Sequence, residues 1–111
     1  MEVVFANRKL QKLCSDAKRM KADLGVACAQ KLQQRLAELS AVDRLEDLRL
    51  LPSPRCHELS GDRAGQLAVD LKHPQRLIFQ PDDHPVPRKA DGGLDWSLVT
   101  RVLILEIVDY H

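Results

Sequence analysis

The stretch QLAVDLKHPQRLIFQ, residues 66–80, holds the pattern that decides the fold. In its first half apolar and polar residues alternate, so that Leu67, Val69 and Leu71 share one face of an extended chain. The dipeptide HP then reads as a turn, and the apolar run RLIFQ follows as a second strand. The stretch therefore predicts two consecutive β-strands joined by a short turn.

Further strands are predicted on both sides of this pair. The segment RCHEL (55–59) reads as a strand, and SGDRAG, with its two glycines, reads as the hairpin loop that follows it. A short β-prone run, VVF, lies at 3–5. The last strand is predicted from Arg101 to about Val108. Its interior is apolar at nearly every position, which predicts burial on both faces, as in a central strand.

The N-terminal third shows the spacing of α-helices. Asn7 is a candidate N-cap, and Gly25 marks a break between two helices. The apolar residues of the first helix are Leu10, Leu13, Cys14, Ala17 and Met20, and those of the second are Leu24, Cys28, Leu32, Leu36 and Leu39. Asp43 with Glu46 resembles a capping box for a short helical turn that runs through Leu48.

The predicted order is a strand, two helices, a helical turn and four strands. This order predicts an α+β fold in one domain, residues 1–111, with the two N-terminal helices packed on one face of a small twisted sheet. Residues 81–100, with three prolines and a Gly-Gly pair, are predicted to form a long functional or loosely ordered loop.

Composition narrows the class of protein. No run approaches the roughly 20 apolar residues that span a bilayer, and the N-terminus lacks the features of a secretory signal. Three cysteines without CxxC spacing argue against a disulfide framework or a zinc site. We therefore expect a cytoplasmic protein with reduced thiols and no metal or cofactor.

The charges are unevenly distributed. Residues 1–35 hold eight basic and three acidic residues, a net of +5, whereas residues 36–111 hold nine and thirteen, a net of −4. The basic excess is either a solvated helix surface or a patch for RNA phosphates or an acidic partner.

Several side chains that can move protons or bind phosphate lie at strand ends and loops. They are His57, Arg63, Lys72, Arg76, Arg88, Lys89, Asp109, Tyr110 and His111. RNA cleavage without a metal requires an acid, a base and cations that offset charge on the phosphoryl oxygens. Histidine and arginine are suited to these tasks near neutral pH.

Each of these residues also has a purely structural interpretation. His57 could be a core histidine, Arg76 an edge-strand charge, Tyr110 a core cap and His111 part of a frayed terminus. Trp96 could plug the base of the loop or stack on a nucleobase.

Four segments in order resemble the HigB-like toxins of bacterial toxin–antitoxin systems, within the RelE/ParE superfamily. They are RCHEL with GDR and GQ, HPQRLIF, DGGLDW with VT, and the terminal DYH. The resemblance implies helices beside a mostly antiparallel sheet and an endoribonuclease that cuts mRNA in the ribosome by 2′-hydroxyl attack. It also implies an antitoxin with a helix-turn-helix, through which alone the toxin contacts operator DNA, and no role for a membrane.

The resemblance also implies roles for individual residues. It makes Arg76 a phosphate clamp, and His57, Asp109, Tyr110 and His111 the other catalytic residues. We expect Arg63, Lys72, Arg88, Lys89 and Trp96 to contact RNA, and Lys12, Lys18 and Arg19 to dock on ribosomal RNA. RCHEL has no lysine where RelE has a lysine-rich strand, so either the histidines or Arg88 and Lys89 take over that role.

Two other functions stay open at this point. A ParE-like inhibitor of DNA gyrase would share the fold, but such proteins typically lack this set of catalytic residues. A catalytically degenerate toxin could act only as an antitoxin or as a partner in a DNA complex.

Overall fold

A five-stranded sheet forms the centre of the molecule in the computed structural model, which describes residues 1–52 and 54–109. The strands are β1 (Glu2–Phe5), β2 (His57–Glu58), β3 (Leu67–Asp70), β4 (Gln75–Pro81) and β5 (Arg101–Asp109). Their order across the sheet is β1-β5-β4-β3-β2. All neighbours are antiparallel except β1 and β5, which are parallel. The α+β prediction and the mostly antiparallel sheet are confirmed.

Three helices, rather than the predicted two, connect β1 to the rest of the sheet. They are α1 (Arg8–Ser15), α2 (Ala17–Leu24) and α3 (Val26–Ala41). The predicted cap is confirmed, because the Asn7 side chain accepts a hydrogen bond from the Leu10 amide at 2.8 Å. The predicted break at Gly25 is also confirmed, and its φ of +83° is a conformation that glycine adopts at little cost.

The extra break lies at Asp16, where the prediction of one continuous first helix was wrong. Asp16 has extended dihedral angles, and its carboxylate accepts hydrogen bonds from the amides of Lys18 and Arg19. One residue therefore ends α1 and begins α2. Apolar spacing continues across the break, so periodicity alone did not reveal it.

The main core lies between the helices and one face of the sheet. Alternation in β3 sends Leu67 and Val69 to this face, and Leu77 and Phe79 of β4 join them. Helices α2 and α3 contribute Met20, Cys28, Ala29, Leu32 and Leu39 to the same cluster. This packing confirms that the helices cover one face of the sheet.

The opposite face carries a smaller apolar cluster. Its buried members are Leu59, Ala68 and Ile78, with Leu105 and Val108 packed against them. No described helical residue belongs to this cluster. We call this side of the sheet, formed by His57, Ala68, Asp70, Arg76, Ile78, Glu106 and Val108, the open face.

Two local predictions were wrong, and a third was confirmed only in part. The central strand is β4, and β5 is not buried on both faces along its length, because its last five residues lie beyond the end of β1. The Asp43 capping box is absent. A 3-10 turn (Leu45–Leu50) instead begins after Arg44, with no side-chain cap. RCHEL contributes only the two residues of β2, because just these pair with β3.

The long connection between β4 and β5 is ordered by local contacts. Arg88 and Leu94 form an isolated antiparallel bridge, and a 3-10 turn (Trp96–Leu98) follows. A third 3-10 turn (Gly61–Arg63) lies in the β2–β3 loop. Within the described part of the chain, no helix is long and apolar enough to cross a membrane.

Candidate active site on the open face of the sheet

Strand register brings two rows of side chains together on the open face. The first row runs from His57 through Ala68 and Ile78 to Glu106, because each residue lies opposite the next on the neighbouring strand. The second row is Asp70, Arg76 and Val108. Ala68 and Ile78 are fully buried, so they form an apolar floor between charged walls.

Arg76 is held by Asp70. The Arg76 Nε atom lies 3.4 Å from Asp70 Oδ1, and both side chains are about a quarter exposed. The second oxygen of the same carboxylate, Oδ2, lies 3.5 Å from Nε of Arg55. Asp70 therefore carries one guanidinium on each of its oxygens.

His57 is oriented by the backbone just before it. Its Nδ1 atom lies 2.9 Å from the carbonyl oxygen of Arg55. Since a carbonyl oxygen can only accept, Nδ1 carries the hydrogen in this bond. In the neutral ring, Nε2 is then the basic nitrogen, which is the form that a proton acceptor requires.

Arg63 reaches over the open face from the β2–β3 loop. Its Nη1 atom donates to Gln66 Oε1 at 3.0 Å, and its Nη2 atom donates to Glu106 Oε1 at 3.4 Å. Glu106 belongs to β5, so this ion pair bridges two elements separated by β3 and β4. The Arg63 side chain is 27% exposed and can still be reached from solvent.

The spacing on the open face suits a bound phosphate. His57 and Arg76 lie on strands two positions apart and in neighbouring rows, roughly 12 Å apart at the backbone. An imidazole and a guanidinium extending from these positions can approach a phosphodiester from two sides. The arrangement can therefore combine proton transfer by His57 with charge stabilisation by Arg76 and Arg63.

The structure does not bring Asp109 to the open face. Asp109 pairs with Gln75, one residue out of phase with Arg76 and Val108, so it lies on the side of the helices. Burial raises the pKa of the Cys28 thiol in α3, and the negative charge of Asp109 adds to that rise. Tyr110 and His111, also predicted to be catalytic, lie outside the described residues.

Asp109 instead borders a groove of about 530 Å³ between β5 and the N-terminal helices. The apolar part of the groove is formed by Leu10, Leu13, Leu24, Leu105 and Ile107. Its charged residues are Lys9, Arg19, Asp23, Glu106 and Asp109. Arg19 therefore shares a groove with Asp109. Lys12 and Lys18 are exposed on α1 and α2 and do not line this groove.

Trp96 is not positioned to stack on a nucleobase, as one reading of the sequence suggested. It is 5% exposed, and its Nε1 atom donates to Glu58 Oε2 at 3.0 Å. The Arg49 guanidinium lies 3.9 Å from the ring centroid and covers it. Trp96 thus plugs the base of the long connection, which was the structural alternative.

The other predicted RNA contacts are exposed but separate from the open face. Arg88 borders a small pocket at the edge of the sheet with Glu58 and Gln80. Lys89 lies beside it in the loop, and Lys72 lies in the β3–β4 turn. Of the predicted cations in residues 1–52 and 54–109, Arg63 and Arg76 are the ones with side-chain contacts to the open face.

Sequence reasoning missed three residues of this site: Arg55, Asp70 and Glu106. Glu106 carried a signal, because it is the one charge inside the apolar run of β5. Asp70 lies on the polar phase of the alternating stretch QLAVDL, where a solvated side chain is the ordinary reading. Nothing in the sequence indicates that Arg55 and Arg76 meet at Asp70, since that contact depends on the register of three strands.

The three cysteines are free thiols and belong to, or pack against, the main core between the helices and the sheet. Burial raises the pKa of Cys14 to about 11 and that of Cys56 to about 12. Since the thiolate is the nucleophile, these groups are unreactive at neutral pH.

Comparison with known proteins supports the fold alone. No protein-family model matches the chain. No curated protein matches it either. Among solved structures, the chain is similar to a YoeB/ParE toxin from Agrobacterium tumefaciens, with a TM-score of 0.56 and 10% sequence identity. The match covers 100% of both chains, so the whole arrangement of helices and strands corresponds to a toxin fold.

Proposed function

We propose that this chain is the toxin of a type II toxin–antitoxin system and that it cleaves mRNA on the ribosome. The observation that carries the proposal is the open face, where His57, Arg63 and Arg76 gather over an apolar floor within a toxin-like fold. A GxSxG hydrolase, a P-loop enzyme, a GxGxxG dinucleotide-binding enzyme or an HExxH metalloprotease would each need a motif that the sequence lacks.

The proposed reaction is attack of a 2′-hydroxyl on the adjacent phosphorus, which breaks the bond to the 5′-oxygen of the next nucleotide and leaves a 2′,3′-cyclic phosphate and a 5′-hydroxyl. His57, through Nε2, exchanges the proton with the attacking or the leaving oxygen, since Nδ1 is engaged with the Arg55 carbonyl. Arg76 binds the phosphoryl oxygens and offsets the charge that builds on them. The apolar floor of Ala68 and Ile78 lowers the local dielectric and strengthens both interactions.

A second proton-transfer group is required for the complete reaction. The resemblance to HigB-like toxins assigns Tyr110 and His111 to this site, and the proposal keeps them there. Asp109 has a different role in the proposal: it faces the helices, so it holds the end of β5 rather than touching RNA. The reaction needs no metal, because proton transfer and charge stabilisation are both assigned to side chains.

The partners follow from the proposed function. A cognate antitoxin, which we infer to be a HigA-like helix-turn-helix protein, neutralises the toxin and links it to operator DNA. The targets are mRNA and the ribosome, and the place of action is the cytoplasm. The exposed Lys12, Lys18 and Arg19 provide the proposed contact with ribosomal RNA.

Gyrase inhibition is the competing function, because the structurally similar protein is titled a YoeB/ParE toxin. One experiment separates the two: the chain is expressed briefly, and the 5′ ends of cellular mRNA are mapped beside an assay of plasmid supercoiling. We expect new 5′ ends inside translated frames that vanish when ribosomes are blocked. Relaxed or broken DNA without new mRNA ends would instead assign the chain to gyrase inhibition. Growth without either change would make it a degenerate toxin.

A further inference from the structure

A single carboxylate on the open face organises two arginines. Asp70 Oδ1 contacts Arg76 Nε at 3.4 Å, and Asp70 Oδ2 contacts Arg55 Nε at 3.5 Å. Two guanidiniums against one carboxylate leave the cluster with a net positive charge beside His57. The two arginines belong to different segments, so the sheet itself brings them together.

Asp70 is fixed by its own backbone, which gives the cluster a rigid base. Its amide donates to the Pro54 carbonyl at 2.9 Å, and its carbonyl accepts from Nε of the buried Arg35 at 2.6 Å. Arg35 is 3% exposed and also pairs with Glu38 of the same helix. The carboxylate therefore projects from a backbone position held by both α3 and the segment before β2.

Arg55 adopts a conformation that is unusual for its residue type. Its φ is +51°, which places a residue with a side chain in the left-handed region. Such strain is concentrated at functional sites, where surrounding contacts maintain it. Here the carbonyl of Arg55 contacts His57 Nδ1 while its guanidinium contacts Asp70. One strained residue thus links the imidazole to the arginine pair.

We propose that Arg55 and Arg76 form a two-guanidinium site for the RNA backbone, assembled by Asp70. Arg76 is the inner arginine, with a side chain 26% exposed, and takes the phosphate at which cleavage occurs. Arg55 is the outer arginine, with a side chain 78% exposed, and takes a neighbouring phosphate of the same strand. Guanidinium is suited to both because its planar fork matches two phosphate oxygens. The inference rests on the proposed function and names the group through which this site grips RNA.

The first test is the binding of a short oligonucleotide in which 2′-deoxy groups prevent cleavage, measured across a salt series by fluorescence anisotropy. Arg55→Gln should weaken binding roughly tenfold, as loss of a charge-assisted hydrogen bond does. It should also reduce the slope of log affinity against log salt by about 0.7 for the lost single-strand phosphate contact. Arg44→Gln is the matched control, because Arg44 is an exposed arginine that pairs with Asp47 elsewhere on the surface.

The second variant, Asp70→Asn, tests whether Asp70 aims the two arginines, that is, holds their guanidiniums in position for the RNA backbone. Asp70→Asn removes a negative charge beside the phosphate, so attraction alone would make binding tighter. If Asp70 aims the two arginines, the same variant should bind more weakly. Arg55→Gly removes the guanidinium but tolerates the left-handed backbone, and it should match Arg55→Gln.

The outcomes are distinct. An affinity and a salt slope for Arg55→Gln equal to those of Arg44→Gln would overturn the outer site, and tighter binding by Asp70→Asn would overturn the aiming role. A chain that binds the oligonucleotide through Arg55 but never cuts mRNA would retain this inference and lose the proposed function. If the parent cleaves mRNA and the Arg55→Gln variant has an unchanged KM, the proposed function stands and the role of Arg55 is lost.

Discussion

Arg76 is the side chain whose chemistry can be tested most directly. Arg76→Ala should reduce kcat/KM for mRNA cleavage by roughly 10²–10³, the usual cost of losing a preorganised donor at a developing charge. Arg76→Lys should recover only part of this, because an ammonium cannot contact two phosphoryl oxygens as a planar fork does. Both values follow from single-turnover cleavage in programmed ribosomes.

Arg44→Ala provides the comparison, since Arg44 pairs with Asp47 and is not part of the open face. It should cleave at the parental rate. Parental activity in Arg76→Lys would argue that only the positive charge matters at this position.

His111 is tested by removal. A chain that ends at Tyr110 should keep its free energy of unfolding, because terminal residues contribute little to a core. Its cleavage should fall by roughly 10²–10⁴, the range expected for a general acid or base. A truncated chain that still arrests growth and cuts mRNA normally would remove His111 from the site.

At the scale of elements, Asp16 determines how the first two helices meet. Asp16→Ala should lower the free energy of unfolding by about 1 kcal/mol, because the amides of Lys18 and Arg19 lose their acceptor. Urea melts would measure the change. Asp23→Ala, on the same helix but not at a cap, should change it by much less. Equal losses in the two variants would assign the effect of Asp16 to charge rather than to capping.

Helices α1 and α2 carry the proposed ribosome contact. Changing Lys12, Lys18 and Arg19 together to Gln should weaken ribosome binding and flatten its salt dependence. Each phosphate contact releases counterions when it forms, so a variant with fewer contacts releases fewer of them. The pH profile of the remaining cleavage should stay the same, because His57 lies on the other face of the sheet. Filter binding to ribosomes across a salt series tests this, and an unaltered slope would make these side chains an ordinary solvated surface.

Helix ends and strand faces were predictable from the sequence where interactions between nearby residues determine them. Asn7 caps a helix and Gly25 ends one through interactions within a few residues, and the alternation at Leu67 and Val69 depends only on strand geometry. The second cap at Asp16 was missed because apolar spacing continues through it. An acidic residue between regularly spaced apolar residues can equally be an exposed residue in the middle of one longer helix.

The site was less predictable, because its contacts join distant segments. Asp70 meets Arg55 and Arg76 only when β2, β3 and β4 take their observed register. The resemblance to HigB-like toxins placed Asp109 at the site, but strand alternation turns it toward the side of the helices. The distance between two residues along the sequence does not show on which face of the sheet their side chains lie.

For the whole molecule, the partly buried thiols of Cys14 and Cys56 predict a loss of stability at alkaline pH. Burial raises the pKa of Cys56 from 9.0 to about 12 and that of Cys14 to about 11. Above pH 9 the unfolded chain releases these protons while the folded chain retains them, so the free energy of unfolding falls as pH rises toward 12. Urea melts at pH 8 and pH 10.5 would measure the fall.

The variant Cys56→Ala separates this effect from the titration of lysine and tyrosine. Between the two pH values it should lose less stability than the parent, by roughly 2 kcal/mol. An identical loss in both proteins would mean that the Cys56 thiol does not contribute to the pH dependence.

The parallel pairing of β1 with β5 has a consequence for biosynthesis. Glu2 and Arg101 share an ion pair across 99 positions of the chain, and Val3 faces Val102 in the register. β1 therefore cannot pair in the sheet until β5, about a hundred positions later in the chain, has been made. Until β5 emerges, Glu106 and its ion pair with Arg63 are missing, and the wall of the open face is incomplete. In the function proposed above, the site on the open face is therefore complete only after synthesis has passed Glu106.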